Sequence, residues 1–331
     1  MSREQSAIIK GIAILLMLIY HLDNIIGIQG LDNIFADNLS AASHPINYFL
    51  IVSGYGLYIA YLKDRLTWTY LLKRTLKLYL AFWLVLLILV FGVSSVMFPG
   101  LYSMPPEMVI MNLMGWRWDY SLFTWFLLPY VFMSLSSKWV FKIIDRLDNV
   151  LSLIVSMILY VGMSFLISRY FDSWLKWHYP VYHIILWAQT LFGLTIGAVI
   201  ARRVTSGQQI TWPWLQGKNL LLILLIVASF ALRGFIHSSI LNPFHAALVV
   251  WLVLHIDFNA VFERVFVELG KKSMIMWFAQ GFIDNIIFPE GIIVLQWPVL
   301  VYVLWTIACY LFACILMPVV DYTAKQLKLA K

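Results

Sequence analysis

Charge is what this 331-residue sequence has least of. Asp, Glu, Lys and Arg together make up 12 % of it and hydrophobic residues 62 %, against about 25 % and about 45–50 % in soluble domains. A water-soluble globular chain could not hide that much apolar surface, and a disordered one would not carry it. Cysteine is nearly absent. Cys309 and Cys314 stand five apart in one apolar run, about 140° around a helix, which excludes a disulfide framework and a zinc knuckle. There is no glycine-rich phosphate loop of the ATPase type, no dinucleotide fingerprint and no convincing internal repeat of the kind many transporters show. Acidic residues are fewer than basic ones, 16 against 23, for a net charge of +7. That balance suggests no nucleic-acid partner, because the basic residues sit between apolar runs, where membrane topology accounts for them.

What the sequence has is spans. The apolar segments are 8–26, 45–62, 76–97, 121–137, 150–168, 180–201, 219–235, 242–257, 273–288 and 293–319. Most are long enough to cross hydrocarbon, the eighth and ninth being short. The first shows no evident small-residue cleavage site and is expected to stay as a spanning helix. The 22 Phe, 17 Tyr and 15 Trp suit a bilayer and its headgroup boundaries. The expected fold is therefore an all-α polytopic membrane protein of about ten transmembrane helices, a single domain over 1–331. Alternating the connections puts nineteen of the basic residues on one side and four, Arg117, Arg169, Lys176 and Arg233, on the other. By the positive-inside rule both termini are then cytoplasmic. The longest outer connection, 98–120, reads as an extracytoplasmic cap or a re-entrant segment.

Polar groups in such a chain need a reason. Lys10 and His21 fall on one predicted helix, about 16 Å apart along its axis and about 20° apart around it. An imidazole can take a proton from a hydroxyl near neutral pH, and a lysine can hold a phosphate-bearing donor at the inner face. An interfacial lysine and a packed histidine are the plainer alternative. Asp23 lies on the opposite flank of that helix and cannot orient His21 from within it; it is a second catalytic candidate or a mark of the outer boundary. Ser53, in Ser53-Gly54-Tyr55-Gly56, could bind a polar substrate, although close helix packing explains the glycines better. Lys73, Arg74 and Lys77 could clamp a nucleotide phosphate, or simply anchor the chain at the inner leaflet. The ring-rich run Trp174–His183 could stack on a sugar, with His178 and His183 as candidate contacts, or form an interface belt. Their spacing across Pro180 is a weak metal signal, and no metal site is assigned. Asp284, near the outer end of the ninth span, is expensive unless paired or wet, with Arg233 or a histidine as the expected partner. His255, at the inner end of the eighth span, reads as structural.

Several of these segments together resemble the acyltransferase-3 family of integral-membrane O-acyltransferases. Ile9-Lys10-Gly11-Ile12-Ala13-Ile14 followed by Tyr20-His21 is similar to that family's basic residue, ten residues, then histidine, with Lys10 in place of arginine. Phe49-Leu50-Ile51-Val52-Ser53-Gly54-Tyr55 resembles its second-helix Ser-Gly run, and Lys73-Arg74-Thr75-Leu76-Lys77-Leu78-Tyr79 its basic third-helix start. Trp125-Phe126-Leu127 resembles the aromatic start of a later span. The stretch from Glu268-Leu269-Gly270-Lys271-Lys272-Ser273 to Gln280 resembles its Leu-Gly-Lys-x-Ser segment, with Gln280 where many relatives have histidine.

The resemblance covers roughly residues 5–320. It implies a bacterial inner-membrane enzyme that moves an acyl group, commonly acetyl from acetyl-CoA, to a hydroxyl of an envelope or lipid-linked glycan, with no permanently bound cofactor. On that reading His21 is the general base, Lys10, Lys73, Arg74 and Lys77 hold the donor, and Ser53, Trp125, His178, His183, Gln280 and Asp284 contact the acceptor. The competing class is a transporter or flippase for an amphipathic or lipid-linked substrate, which would need alternating access rather than acetyl-CoA.

Overall fold

The computed structural model describes residues 1–26, 33–287 and 298–329, with the side chains of all of these but 23–26, 33–37 and 298. Its helices are α1 (Arg3–Ile26), α2 (Asn33–Ala42), α3 (Ile46–Leu62), α4 (Trp68–Ile88), α5 (Ser95–Met97), α6 (Pro106–Leu113), α7 (Leu127–Ile144), α8 (Asn149–Tyr170), α9 (Tyr179–Thr205), α10 (Asn219–Phe235), α11 (Asn242–Val253), α12 (Ala260–Ile287) and α13 (Pro298–Gln326). A π-helical turn, Leu89–Ser94, joins α4 to α5.

Each of the ten apolar segments overlaps a helix, residues 288 and 293–297 of the last two lying outside the described residues, but seven described stretches are long and apolar enough to cross a bilayer: Arg3–Leu22, Asn38–Leu62, Trp68–Met97, Leu122–Ile144, Asn149–Tyr170, Tyr179–Thr205 and Val299–Gln326. The protein is thus an all-α polytopic membrane protein with seven such spans among the described residues. The shortfall from ten has physical causes. With 17 and 12 residues, α10 and α11 fall below the ~20 that a perpendicular span needs. Length is not the obstacle for α12, which carries Glu263, Arg264, Glu268, Lys271, Lys272 and Asp284.

Two helices begin earlier than hydropathy suggests, because a polar side chain caps them. The Thr67 hydroxyl accepts the Tyr70 N–H at 3.2 Å, so α4 starts at Trp68 and takes in Lys73, Arg74 and Lys77. The Asn259 side-chain oxygen accepts the N–H groups of Val261 and Phe262 at 3.1 and 3.0 Å, starting α12 thirteen residues before the apolar segment. Such oxygens satisfy amides that a helix start leaves open.

The described chain divides into two compact units. One comprises Met1–Leu66, Ser136–Tyr170 and Ala188–Lys271, the other Thr67–Leu135, Phe171–Trp187 and Lys272–Lys331.

In the first unit, Ile8, Ile9 and Ala13 of α1 pack with Tyr48 and Ile51 of α3, Phe192 and Ile196 of α9, and Ala246, Val249 and Val250 of α11. Small residues seat α1. A Cβ at Gly11 would fall on the Phe266 carbonyl and one at Gly270 on the Ala7 carbonyl, so α1 and the first half of α12 meet backbone to backbone. The same contact recurs between α3 and α9, where Gly54 faces Leu194 and Gly197 faces Ile51. This close approach is how helices associate where water supplies no driving force. It also explains the Ser53-Gly54 run, of which Gly56 faces open space.

In the second unit, α13 buries Val301, Trp305, Cys309, Ala313, Leu316, Val320 and Ala324, a stripe stepping by three or four residues along one face. The helix packs on α4. The 98–120 segment is tied down rather than loose. Tyr79 and Trp83 of α4 donate to the carbonyls of Met114 and Leu113 at 2.7 and 2.9 Å, and Arg117 makes a two-point ion pair with Asp119 at 2.7 Å for each bond.

The outward faces identify the solvent. Ile315 and Val299 of α13, Leu220 and Phe235 of α10, and Val150 and Ile158 of α8 are all more than 60 % exposed. Apolar rows of this extent are tolerated in lipid and not in water.

Candidate active site

The first unit holds the candidate catalytic histidine. His21 lies toward the C-terminal end of α1 and is 8 % exposed. Its ring stands edge-on to Tyr20 with centroids 5.0 Å apart, and Tyr20 meets His44 in the same way at 5.1 Å. His44 sits in the turn between α2 and α3 and is electrostatically coupled to both His21 and Arg233. Arg233, in the last turn of α10, is buried and donates to the carbonyls of Ile236 and Ser238 and to Asn242 Oδ1. The partner expected for Asp284 is therefore engaged by neutral acceptors. Beside it, the His237 Nε2–H donates to Asn38 Oδ1 at 2.8 Å. The His21 ring thus lies against Tyr20 and near His44, on the helix that also carries Lys10.

Lys10 and Ser53 are both half-buried. Asp23 belongs to α1, but its side chain lies outside the described residues. His255 is structural: it accepts the Trp212 N–H at Nε2 (2.8 Å) and donates from Nδ1 to the Trp251 carbonyl (2.7 Å), which fixes a neutral ring.

The second unit holds the candidate donor clamp. Arg74 donates to the Tyr130 hydroxyl at 2.5 Å, with its guanidinium 6.0 Å from that ring's centroid. From Tyr130 an aromatic chain runs through Phe126 to Trp125 and to Trp277 of α12, with centroids 5.6–5.9 Å apart. Arg74 and Trp125 thus belong to one cluster. Lys77 pairs with Asp321 of α13 at 2.7 Å on an exposed face, and Lys73 is exposed. Tyr130, 56 residues from Arg74, carried no signal that a sequence reading could have used.

The two histidines of the ring-rich run have separate roles. His183 is fully buried among Trp116, Trp118 and Tyr182, and its Nε2–H donates to the Trp116 carbonyl at 3.0 Å. It pins the 98–120 segment. His178 is exposed and donates from Nδ1 to the Trp174 carbonyl at 2.8 Å. Within the pinned segment, the Arg117 hydrogen bonds hold the Asp119 carboxyl below the usual carboxylate range and raise Arg117 in return. Gln280 is fully buried and Asp284, one turn further along α12, half-buried. Asp284 Oδ1 accepts the Asn285 N–H at 2.7 Å.

A buried histidine above a lysine and an arginine set against a tyrosine can serve proton transfer and phosphate binding. Comparison with known proteins identifies which chemistry. The profile of a family described as an acyltransferase domain matches residues 6–319. No curated protein and no solved structure matches the chain. The family match accounts for the chain as an acyl-CoA-dependent enzyme and leaves no need for the transport reading. This polytopic membrane protein belongs to the acyltransferase-3 family.

Proposed function

We propose that the protein moves an acetyl group from cytoplasmic acetyl-CoA to a hydroxyl of an extracytoplasmic or lipid-linked glycan, in the cytoplasmic membrane of a bacterium. His21 takes the proton of the acceptor hydroxyl as its oxygen attacks the thioester carbonyl. The carbon–sulfur bond breaks, the coenzyme A thiolate leaves and takes the proton, and the acceptor keeps the ester. Lys10, Arg74, Lys73 and Lys77 bind the donor phosphates at the inner face. Ser53, Trp125, His178, His183, Gln280 and Asp284 are the proposed acceptor contacts, and Asp23 a second acid–base group. The donor is a co-substrate, and no resident cofactor is proposed.

The chain would cross the membrane ten times as a single domain, with both termini cytoplasmic and 98–120 as the outer cap. The nineteen-to-four division of basic residues supports that orientation.

One observation carries the reading: α1 buries an imidazole beside Tyr20 and His44 at one end and carries a cation about 16 Å away along its axis. Packing alone does not need that combination on one helix. The test is reconstitution of the purified protein with labelled acetyl-CoA and extracted envelope glycans, followed by mass analysis of the products. A gain of one acetyl on a sugar hydroxyl is expected from the wild type and its loss from His21→Ala. Equal transfer by folded wild type and variant removes His21 as the base.

A further inference from the structure

Most buried polar atoms in the structure find partners, as hydrocarbon demands. One region of the second unit does not follow. Gln280 is fully buried, and neither its amide oxygen nor its amide nitrogen has a hydrogen-bond partner among the described residues. The adjoining Gly281 leaves room for Ser121: a Cβ there would meet the Ser121 hydroxyl and the Phe123 ring. The Ser121 hydroxyl is buried with no hydrogen-bond partner among the described residues, and so is that of Tyr120 beside it. The Tyr120 ring packs edge-on to Tyr102 at 5.8 Å, and Tyr102 accepts from Asn285 Nδ2 at 3.2 Å, one residue beyond Asp284. On the other side Tyr120 meets Phe91 of the π-helical turn at 5.9 Å, a distortion often found at functional sites.

The orphaned groups are one carboxamide and two hydroxyls, which both donate and accept. Ser121 lies against Gly281, the residue after Gln280 in α12, and Tyr120 precedes Ser121 at the end of the 98–120 segment. Leaving buried polar groups unpaired is unfavourable, and an apolar residue at position 280 would avoid it. A structural role gives no reason to keep them. A ligand rich in hydroxyls does, since each sugar hydroxyl can also both donate and accept.

We infer that Gln280, Ser121 and Tyr120 form the acceptor subsite, which holds a sugar ring by its hydroxyls, with Asp284 and Tyr102 at its rim. This rests on the reading of the acceptor as a glycan. It adds Ser121 and Tyr120, which no motif singles out, and makes Gln280 a specificity group rather than a proton carrier.

The test is binding without acyl donor. The full chain in phospholipid nanodiscs is mixed with methyl glycosides of glucose, galactose, rhamnose and N-acetylglucosamine, and in parallel with pantetheine. Contact is read by saturation-transfer NMR, and the thermal midpoint is followed on the same samples. The expected result is a glycoside signal from the wild type that weakens at least fivefold in Gln280→Leu and in Ser121→Ala, with a thermal midpoint in Gln280→Leu equal to or above that of the wild type. The Ser121→Ala change removes one oxygen and guards against misfolding of the larger variant.

The inference is overturned if no glycoside contacts the wild type, if both variants bind as it does, or if the variants lose pantetheine instead. A lowered midpoint in Gln280→Leu with unchanged binding also overturns it, assigning the orphaned groups to ordered water. The proposed activity is tested separately. Sugar binding retained in a chain that transfers no acetyl leaves this subsite standing without that reaction. Acetyl transfer by a chain whose sugar binding ignores Gln280 and Ser121 leaves the reaction standing without this subsite.

Discussion

The first and last helices cross the membrane by different means. In α1, 61 % of the most apolar stretch is buried by protein, while in α13 the share is 28 %, although α13 is the more apolar of the two. On α13 the buried positions form a single stripe and the rest of the helix faces outward with Leu, Ile and Val. On α1 burial spreads from Ala7 to Leu22, and the sides include a glycine, a histidine and a lysine. Hydropathy therefore ranks contact with lipid rather than structural importance. The helix that looks less like a membrane span is the one enclosed by its neighbours, and it carries Lys10 and His21. Polar residues survive in a span where protein, not lipid, surrounds them.

The contrast makes predictions that can break it. The largest concerns the seat of α1. A methyl at Gly11 meets the Phe266 backbone, whereas one at Gly56 meets nothing. Gly11→Ala should therefore destabilise the protein by about 1–3 kcal/mol through overpacking and lower transfer with it. Gly56→Ala should stabilise α3 by up to about 1 kcal/mol. Thermal unfolding of the two variants side by side checks both signs, and equal effects would mean that α1 is not seated by backbone contact.

Next come the donor cations. Arg74→Ala should raise the KM for acetyl-CoA about tenfold, the effect of losing about 1.4 kcal/mol of charge-assisted binding, and Lys10→Ala should act in the same direction. Lys77 already pairs with Asp321 on an exposed face, so Lys77→Ala should change KM less than Arg74→Ala does. Initial-rate measurements at varied acetyl-CoA order the three, and a Lys77 effect larger than that of Arg74 would reverse the assignment.

On the lipid-facing side, Ile315→Ala on α13 should shift stability by less than about 0.5 kcal/mol, because its side chain faces outward. A loss comparable to that of a core truncation would show that α13 is covered by another protein surface.

A further small effect concerns the Arg117–Asp119 pair. The folded Asp119 carboxyl is held below its ordinary value of 3.8 by Arg117. Its contribution is complete above that value and is lost as pH falls through the lower folded one. Being a partly exposed pair, it is worth less than about 1 kcal/mol. Acid titration of unfolding should lose that increment of pH dependence in Asp119→Asn, and an unchanged titration would show that the pair does not stabilise the 98–120 segment.

Much of this was legible in the sequence. Apolar runs marked the all-α membrane fold, because a span must be nearly free of charge, and seven of them are long and apolar enough to cross a bilayer among the described residues, whereas ten were expected; Lys10 and His21 do share α1. Helix starts were less legible. Thr67 and Asn259 extend α4 and α12 through side-chain hydrogen bonds that hydropathy does not register. Partners distant in sequence were not legible at all. Tyr130 on Arg74 and Trp116 on His183 depend on how helices pack. His183 shows the consequence: the sequence places it in a ring-rich segment but does not show that its ring is buried and donates to the Trp116 carbonyl.

The central claim is that α1 presents a reactive imidazole whose loss removes the chemistry and spares the fold. Single-turnover acetyl transfer and acetyl-CoA affinity, measured on one preparation of His21→Ala, test it most directly. The account predicts donor affinity within about twofold of the wild type and transfer slowed by about 10³-fold, within the range for removal of a general base. Transfer at the wild-type rate, or a loss explained entirely by weaker donor binding, would contradict it.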